Sequence, residues 1–190
     1  MVEWAEVIRV IGAVILIALL VMSGFIIAKR PIGKNASLSL HFGTHRDTYF
    51  LMALFLTFGG ALFYSFIWFW LIPTYNLPAV TYLLLIISYG AQLIMSWVPA
   101  SATNSRFQAI HQLAATIVGI SMIIFLILLS FYASNLPDIS ALFIQIGTAL
   151  TIISLVLYAL IKKLHNYLLI FESLFIAFFC VAMLLLVVKI

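Results

Sequence analysis

Residues 7–28 read VIRVIGAVILIALLVMSGFIIA, and this stretch carries a single charged side chain, Arg9. The hydrocarbon core of a bilayer is about 30 Å thick, so a helix that crosses it needs about 20 mostly apolar residues. The stretch meets that requirement. It therefore predicts a transmembrane helix.

The same pattern recurs along the chain, with proline or glycine in the first four gaps between the apolar windows. We therefore expect an all-α, polytopic membrane protein, a bundle of six transmembrane helices that forms one transmembrane domain over residues 1–190. The predicted helices are residues 7–28, 49–72, 79–98, 108–133, 139–161 and 166–188.

The composition also indicates that the solvent of this protein is a bilayer. Hydrophobic residues make up 66% of the chain and charged residues 7%, whereas a soluble domain has about 45–50% apolar and about 25% charged residues. A soluble globule of this length cannot bury so much apolar surface, so the excess must face lipid. The single cysteine, Cys180, excludes an internal disulfide and a thiolate metal cluster.

Basic residues fall in alternate loops, and positively charged loops stay on the cytoplasmic side. The second and fourth loops contain none, so we expect both termini outside. Short loops favour a multi-pass protein of a prokaryotic plasma membrane. The net charge of +4 comes mainly from these basic loop residues, which indicate topology. No nucleic-acid partner is therefore expected. The basic residues of the first, third and fifth loops are Lys29, Arg30, Lys34, Arg46, Arg106, Lys162 and Lys163.

Glu172 is the charged residue that lies clearly within a predicted span. A charge at such a depth costs a few kcal/mol or more, which makes it a candidate for function. His165 precedes it by seven positions, close to two helical turns, so the two side chains share a face. Glu172 is either a proton acceptor, metal ligand or anchor for a cationic group, or a carboxyl group that fastens two helices by a hydrogen bond.

All four histidines map to the predicted cytoplasmic side. His41 and His45 share a helix face if the second helix begins early, near Leu38, and His111 opens the fourth helix. The histidine spacing matches no zinc signature, so neither a metal site nor a cofactor is predicted; a single b-type haem or a metal ion is the alternative. The predicted polar pocket comprises His45, Arg46, His111, Gln112, His165 and Glu172.

Small and polar residues recur at helical spacing inside the third and fifth predicted helices. Such faces turn inward, because they let helices approach and form hydrogen bonds. Aromatic residues near one membrane boundary, with Trp97 at the other boundary, are typical of interfacial belts. The two inward faces comprise Thr81, Ser88, Gln92 and Ser96, and Gly147, Thr151, Ser154 and Tyr158; the belt comprises Trp68, Trp70, Tyr75 and Tyr82.

The segment from Trp97-Val98-Pro99 through Arg106 to His111-Gln112-Leu113-Ala114-Ala115 resembles Frag/DRAM/Sfk-type six-helix membrane proteins and their uncharacterised prokaryotic relatives. In those proteins a proline near the end of helix three precedes a histidine that starts helix four. The resemblance implies a lipid-associated role, because the eukaryotic members are linked to lipid remodelling, membrane trafficking and autophagy. The relatives usually carry an acidic residue soon after the proline, where this chain has Ala100-Ser101-Ala102, so no site is carried over.

Three function classes follow. The leading hypothesis is a lipid-associated or accessory protein that binds membrane lipids, another membrane subunit or a second copy of itself. The second is a membrane enzyme that acts on a lipid or isoprenoid head group through histidine and glutamate. The third is a small proton-coupled transporter with Glu172 as its coupling site. Whether the protein is an enzyme stays open. The predicted contacts to lipid head groups are Lys29, Arg30, Lys34, Lys162 and Lys163.

Overall fold

The computed structural model describes residues 2–29, 36–100, 104–133, 136 and 138–188. Within these residues six helices are long and apolar enough to cross a membrane, which confirms the prediction of an all-α, multi-pass bundle. Two shorter helices lie between them. The helices are α1 Val2–Lys29, α2 Leu38–Gly43, α3 Arg46–Phe66, α4 Ile72–Tyr75, α5 Val80–Trp97, α6 Ser105–Tyr132, α7 Asp138–Leu160 and α8 Leu168–Val188.

The helix ends differ from the predicted ones by up to five residues. The first helix begins at Val2 instead of residue 7, and an ion pair between Glu6 and Arg9, at 2.6 Å, supports the additional turns. The sixth span opens with a 3-10 helix, Lys162–Tyr167, so α8 itself begins at Leu168 instead of residue 166.

The six long helices form a closed ring. Each packs against its neighbours in sequence, and α8 also packs against α1. Aromatic side chains fill the ring in one half of the bundle: Phe179 of α8 lies 5.9 Å from Phe63 of α3 and 6.5 Å from Phe125 of α6, between ring centroids. These residues belong to the parts of their helices that are remote from the basic loops. That half of the bundle is therefore a packed core.

The second span continues past α3 through a π-helical turn, Ile67–Leu71. The backbone N–H of Ile72 donates to the carbonyl of Ile67, five residues back. Pro73 explains the wider turn, because its ring would clash with the carbonyl four residues earlier and it has no N–H to donate. Asn76, in the left-handed conformation with φ 51°, then ends α4.

The interpretation of the aromatic belt is wrong for Trp70 and Tyr75. Trp70 and Tyr75 are only 4% and 2% exposed, and their ring centroids lie 6.1 Å apart in the core. The Tyr75 hydroxyl donates to the backbone carbonyl of Leu186 at 3.2 Å. Both residues therefore lie in the core instead of at the lipid boundary, and Tyr75 joins the second span to α8.

The predicted inward face of α5 is confirmed, because Thr81, Ser88, Gln92 and Ser96 are all buried. Two of these residues bind α3 directly. The Ser88 hydroxyl lies 2.7 Å from that of Tyr64, and the Gln92 side-chain amide donates to the carbonyl of Leu56 at 2.8 Å. Gly60 permits the approach, because a Cβ atom there would overlap the Gln92 amide nitrogen.

The face of small and polar residues that was predicted for the fifth spanning helix, which is α7, also faces the interior of the bundle. Neighbouring helices cover it less than they cover the corresponding face of α5. Its four residues are half-buried, whereas most of the remaining surface of α7 is exposed. At Gly147 a Cβ atom would overlap the Phe178 ring of α8. The absence of a side chain at Gly147 therefore allows α7 and α8 to pack closely.

Candidate functional site at the basic end of the bundle

The basic end of the bundle is defined here as the end at which α1, α5 and α7 finish and α3, α6 and α8 begin. Glu172 and the four histidines all belong to it. Lys29, Arg46, Lys162 and Lys163 are exposed there. Two predicted head-group contacts, Arg30 and Lys34, lie outside the described residues.

Glu172 is bonded to the first loop. It is partly buried on α8, and its Oε2 accepts a hydrogen bond from the backbone N–H of Leu38 at 2.5 Å. Leu38 is the first residue of α2, and the free N–H groups and dipole at a helix start favour a carboxyl group. The contact agrees with the interpretation of Glu172 as a carboxyl group that holds two helices together by a hydrogen bond.

The short helix α2 lies against the ring through apolar contacts as well. Leu38 and Phe42 are buried in a cluster with Ile26 of α1 and Met52 of α3. Ser37 caps the helix, since its hydroxyl accepts from the backbone N–H of Leu40 at 3.1 Å. Thus α2 is attached to α1 and α3 by its apolar face and to α8 by its first N–H group.

His41 and His45 do not share a helix face. The chain is helical from Leu38, but α2 ends at Gly43 and His45 is extended, with φ −116° and ψ 135°, ahead of α3. The hydroxyl of Thr48 donates a hydrogen bond shared between the carbonyls of Phe42 and His45, at 3.1 and 3.0 Å. The condition for a shared face, a second helix that begins near Leu38 and continues past His45, is therefore not met, because this bond stabilises the break.

His111 joins the end of α5 to α6. It is only 5% exposed, and its Nδ1 lies 2.5 Å from the carbonyl oxygen of Val98. A carbonyl can only accept, so Nδ1 carries the proton. The last carbonyls of a helix lack partners within that helix, and Pro99 prevents α5 from continuing. The histidine therefore satisfies a free carbonyl at this helix end.

The other nitrogen of His111 has a different environment. Nε2 is buried and has no hydrogen-bond partner in the described part of the chain. Gln112, the next residue on α6, is exposed. His111 thus uses one nitrogen for structure and keeps a buried acceptor at the other.

His165 joins α7 to the start of the sixth span. Its Nε2 donates to the carbonyl of Tyr158 at 2.9 Å, and the two rings lie 4.8 Å apart between centroids. Tyr158 also contacts the Phe171 ring of α8, with 5.2 Å between the ring centroids. Tyr158 therefore connects His165 to α8 at Phe171, the residue before Glu172.

The predicted pocket residues make separate contacts around the ring. His111 lies at the contact of α5 and α6, which the ring order places opposite the contact of α8 and α1. Among the described residues no group of three or more histidine, cysteine, aspartate and glutamate side chains is placed to hold a metal ion. Convergence of these residues on a single ligand stays a prediction.

A groove that the sequence did not reveal lies between α1 and α3 at the basic end. Its volume is about 150 Å³, and both Lys29 and Asp47 line it. Lys29 is one of the basic loop residues that the sequence predicts to contact lipid head groups, whereas the sequence predicts no role for Asp47. The available signal was an acidic side chain directly after Arg46 in an otherwise basic loop.

A second groove of about 290 Å³ lies between α5 and the span that contains the π-helical turn. It lies in the half of the bundle that contains the aromatic core. Its walls are largely apolar and aromatic, and include Tyr64, Trp68, Phe69 and Tyr89. Phe69 is exposed at its edge. This groove offers contacts to hydrocarbon and has no charged residue in its lining.

The chain matches no protein-family model, no curated protein sequence and no solved structure. The resemblance to Frag/DRAM/Sfk-type proteins therefore stays a prediction carried by the segment from Trp97 to Ala115.

Proposed function

We propose that the protein is a lipid-associated accessory protein of a cell membrane, with its basic end in the cytoplasmic leaflet and both termini outside. One observation carries the proposal: three of the six candidate polar side chains at the basic end form hydrogen bonds with the protein's own backbone. Glu172 accepts from Leu38, while His111 and His165 donate to carbonyls at the ends of neighbouring helices. Side chains used in this way hold helices together, which favours a structural role over proton transfer.

The distribution of charge supports the lipid part of the proposal. Lys162 and Lys163 are exposed on the 3-10 helix that opens the sixth span. A basic residue beside an anionic cytoplasmic leaflet contributes about 1 kcal/mol to membrane attraction. The orientation rests on the rule that basic loops stay inside. The implied lipid role of the resembling family points in the same direction.

The proposal predicts that anionic phospholipids bind more tightly than phosphatidylcholine, because only they carry a net charge opposite to the basic end. Replacing Lys162 and Lys163 together by glutamine removes about 2 kcal/mol of attraction and should weaken anionic lipid binding by about 30-fold. Native mass spectrometry of the detergent-solubilised protein, titrated with each lipid, measures both affinities.

The matched control replaces both lysines by arginine, which keeps the charge and should keep the binding. Equal affinity of the unaltered protein for phosphatidylglycerol and phosphatidylcholine would count against the proposal. So would an unchanged preference in the double glutamine variant.

A further inference from the structure

We infer that the outward face of α7 binds α7 of a second copy of this chain, with the two Gln145 side chains hydrogen-bonded to each other across the interface. The observation that carries the inference is an exposed side-chain amide within a membrane-spanning helix. Gln145 is exposed on α7, seven residues after the first residue of that helix, Asp138. The inference concerns a contact between proteins and does not rest on the proposed lipid association.

Gln145 lies at the depth of the hydrocarbon. At 1.5 Å per residue it is about 10 Å along the helix axis from Asp138, and α7 as a whole is about 35 Å long, little more than the hydrocarbon thickness of about 30 Å. A side-chain amide that faces lipid has no water to supply its missing hydrogen bonds, so its exposure there is unfavourable. A second helix can supply them.

The amide of Gln145 uses little of its hydrogen-bonding capacity within the described part of the chain. Its nitrogen donates to the backbone carbonyl of Ser130 on α6, at a long distance of 3.5 Å. A side-chain amide has two N–H donors and an oxygen with two lone pairs. One N–H and the oxygen therefore stay available to another molecule.

The surface around Gln145 suits a second helix. Although α7 packs against α6 and α8, only 17% of its most apolar stretch is buried, the smallest share among the six described spans. Ala149 is exposed one turn from Gln145 on the same face, and a small residue lets two helix backbones approach closely. Apolar side chains on the same face would enclose the amide pair: Leu142, Ile152 and Val156 are all exposed.

Symmetry identifies the partner as a second copy. Two copies inserted in the same orientation are related by a two-fold axis along the membrane normal, so residues of equal depth near the axis meet their own counterparts. An amide suits such a position because it carries both a donor and an acceptor. Each Gln145 can donate an N–H to the oxygen of the other, which satisfies both side chains at once.

Asp138 opposes this contact and provides a check on its register. It belongs to the same face, seven residues before Gln145, so the dimer brings its two copies toward each other. Asp138 is exposed at the end of the helix, where water and salt screen the repulsion. Asp138→Asn should therefore tighten the dimer by a few-fold at low ionic strength, and by less at high ionic strength.

The test is Förster resonance energy transfer between donor-labelled and acceptor-labelled copies in lipid vesicles, over a series of protein-to-lipid ratios. The label is attached at Ala79→Cys in a Cys180→Ser background. With Gln145 present, transfer should rise with this ratio and saturate. Gln145→Leu should move the midpoint about 10-fold toward higher protein density, and Gln145→Asn, which keeps an amide, should move it less. Gln108→Leu is the matched control, because it removes an exposed glutamine of α6; it should leave the midpoint unchanged.

Oxidative cross-linking in the same vesicles locates the face. In the Cys180→Ser background, Ala149→Cys should form a disulfide between two copies, whereas Leu150→Cys should not, because position 150 is also exposed but lies about 100° around the helix. Energy transfer that never exceeds random proximity, or a midpoint that Gln145→Leu leaves unchanged, would overturn the inference. Cross-linking at position 150 as strong as that at position 149 would overturn it as well.

Discussion

Replacing Gly12 by alanine is expected to lower the thermal unfolding temperature of the detergent-solubilised protein by several degrees. A Cβ atom at this position would overlap the ring of Phe66. That ring is 0% exposed and stacked on Trp70 with centroids 5.3 Å apart, so it has no space into which to turn. Overpacking of this kind costs about 1–3 kcal/mol, more than the gain of about 1 kcal/mol that alanine brings to a helix interior.

Gly24 supplies the control on the same helix. A Cβ atom there meets nothing within 4 Å, so Gly24→Ala should leave the unfolding temperature unchanged or raise it. Circular dichroism during heating in one detergent measures both variants. Adding Phe66→Leu to Gly12→Ala should restore part of the loss. Equal stability of the two alanine variants would contradict the close contact of α1 with α3.

Replacing Glu172 by leucine is expected to detach α2 from α8. The change leaves the backbone N–H of Leu38 without its acceptor, and an unmade hydrogen bond in a partly buried site costs about 1–3 kcal/mol. Amide hydrogen exchange in the segment 38–43 should therefore accelerate by about 10- to 100-fold. In Glu172→Gln the side chain keeps an acceptor oxygen, so the acceleration should be smaller.

Ser173→Ala is the control, because it alters the neighbouring residue of α8 and leaves the Glu172 contact in place. Exchange is measured by mass spectrometry of peptides that cover α2. Unchanged exchange in Glu172→Leu would contradict the fastening role. Loss of proton-linked uptake in Glu172→Gln, with exchange unchanged, would instead favour the transporter alternative.

The spanning helices were predictable from sequence because their cause is local. A window such as residues 7–28 is apolar over enough length to cross a bilayer, whatever its neighbours are. The first and last residues of these helices were less predictable, because they depend on individual contacts that a hydropathy window does not include. The ion pair of Glu6 with Arg9 lies within the additional turns of α1, and Pro73 widens the last turns of the second span.

The helix α2 was not predicted as a separate element, because six residues form no apolar window and its contacts are distant in sequence. Leu38 and Glu172 are 134 residues apart. Because Glu172 accepts from the backbone N–H of Leu38, the residue type at position 38 gives no indication of the hydrogen bond. The sequence did single out Glu172 itself, since a carboxyl group within a span needs a partner.

The inward polar face of α5 was predictable from spacing alone, since Ser88, Gln92 and Ser96 recur at helical intervals. The burial of Trp70 was not, because an aromatic residue near a span end is equally consistent with a belt. Its burial in the structure decides between the two. The groove with Lys29 and Asp47 also needed the structure, since it depends on how α1 meets α3.

The central claim is that six helices cross the membrane with the basic end inside. Its most direct test labels single cysteines in right-side-out vesicles with a membrane-impermeant maleimide, after Cys180→Ser removes the buried native thiol. Ala79 and Lys163 are both exposed and are separated by three spans. Ala79→Cys should react in intact vesicles, and Lys163→Cys only after permeabilisation. Reaction of both in intact vesicles, or of Lys163→Cys alone, would contradict the account.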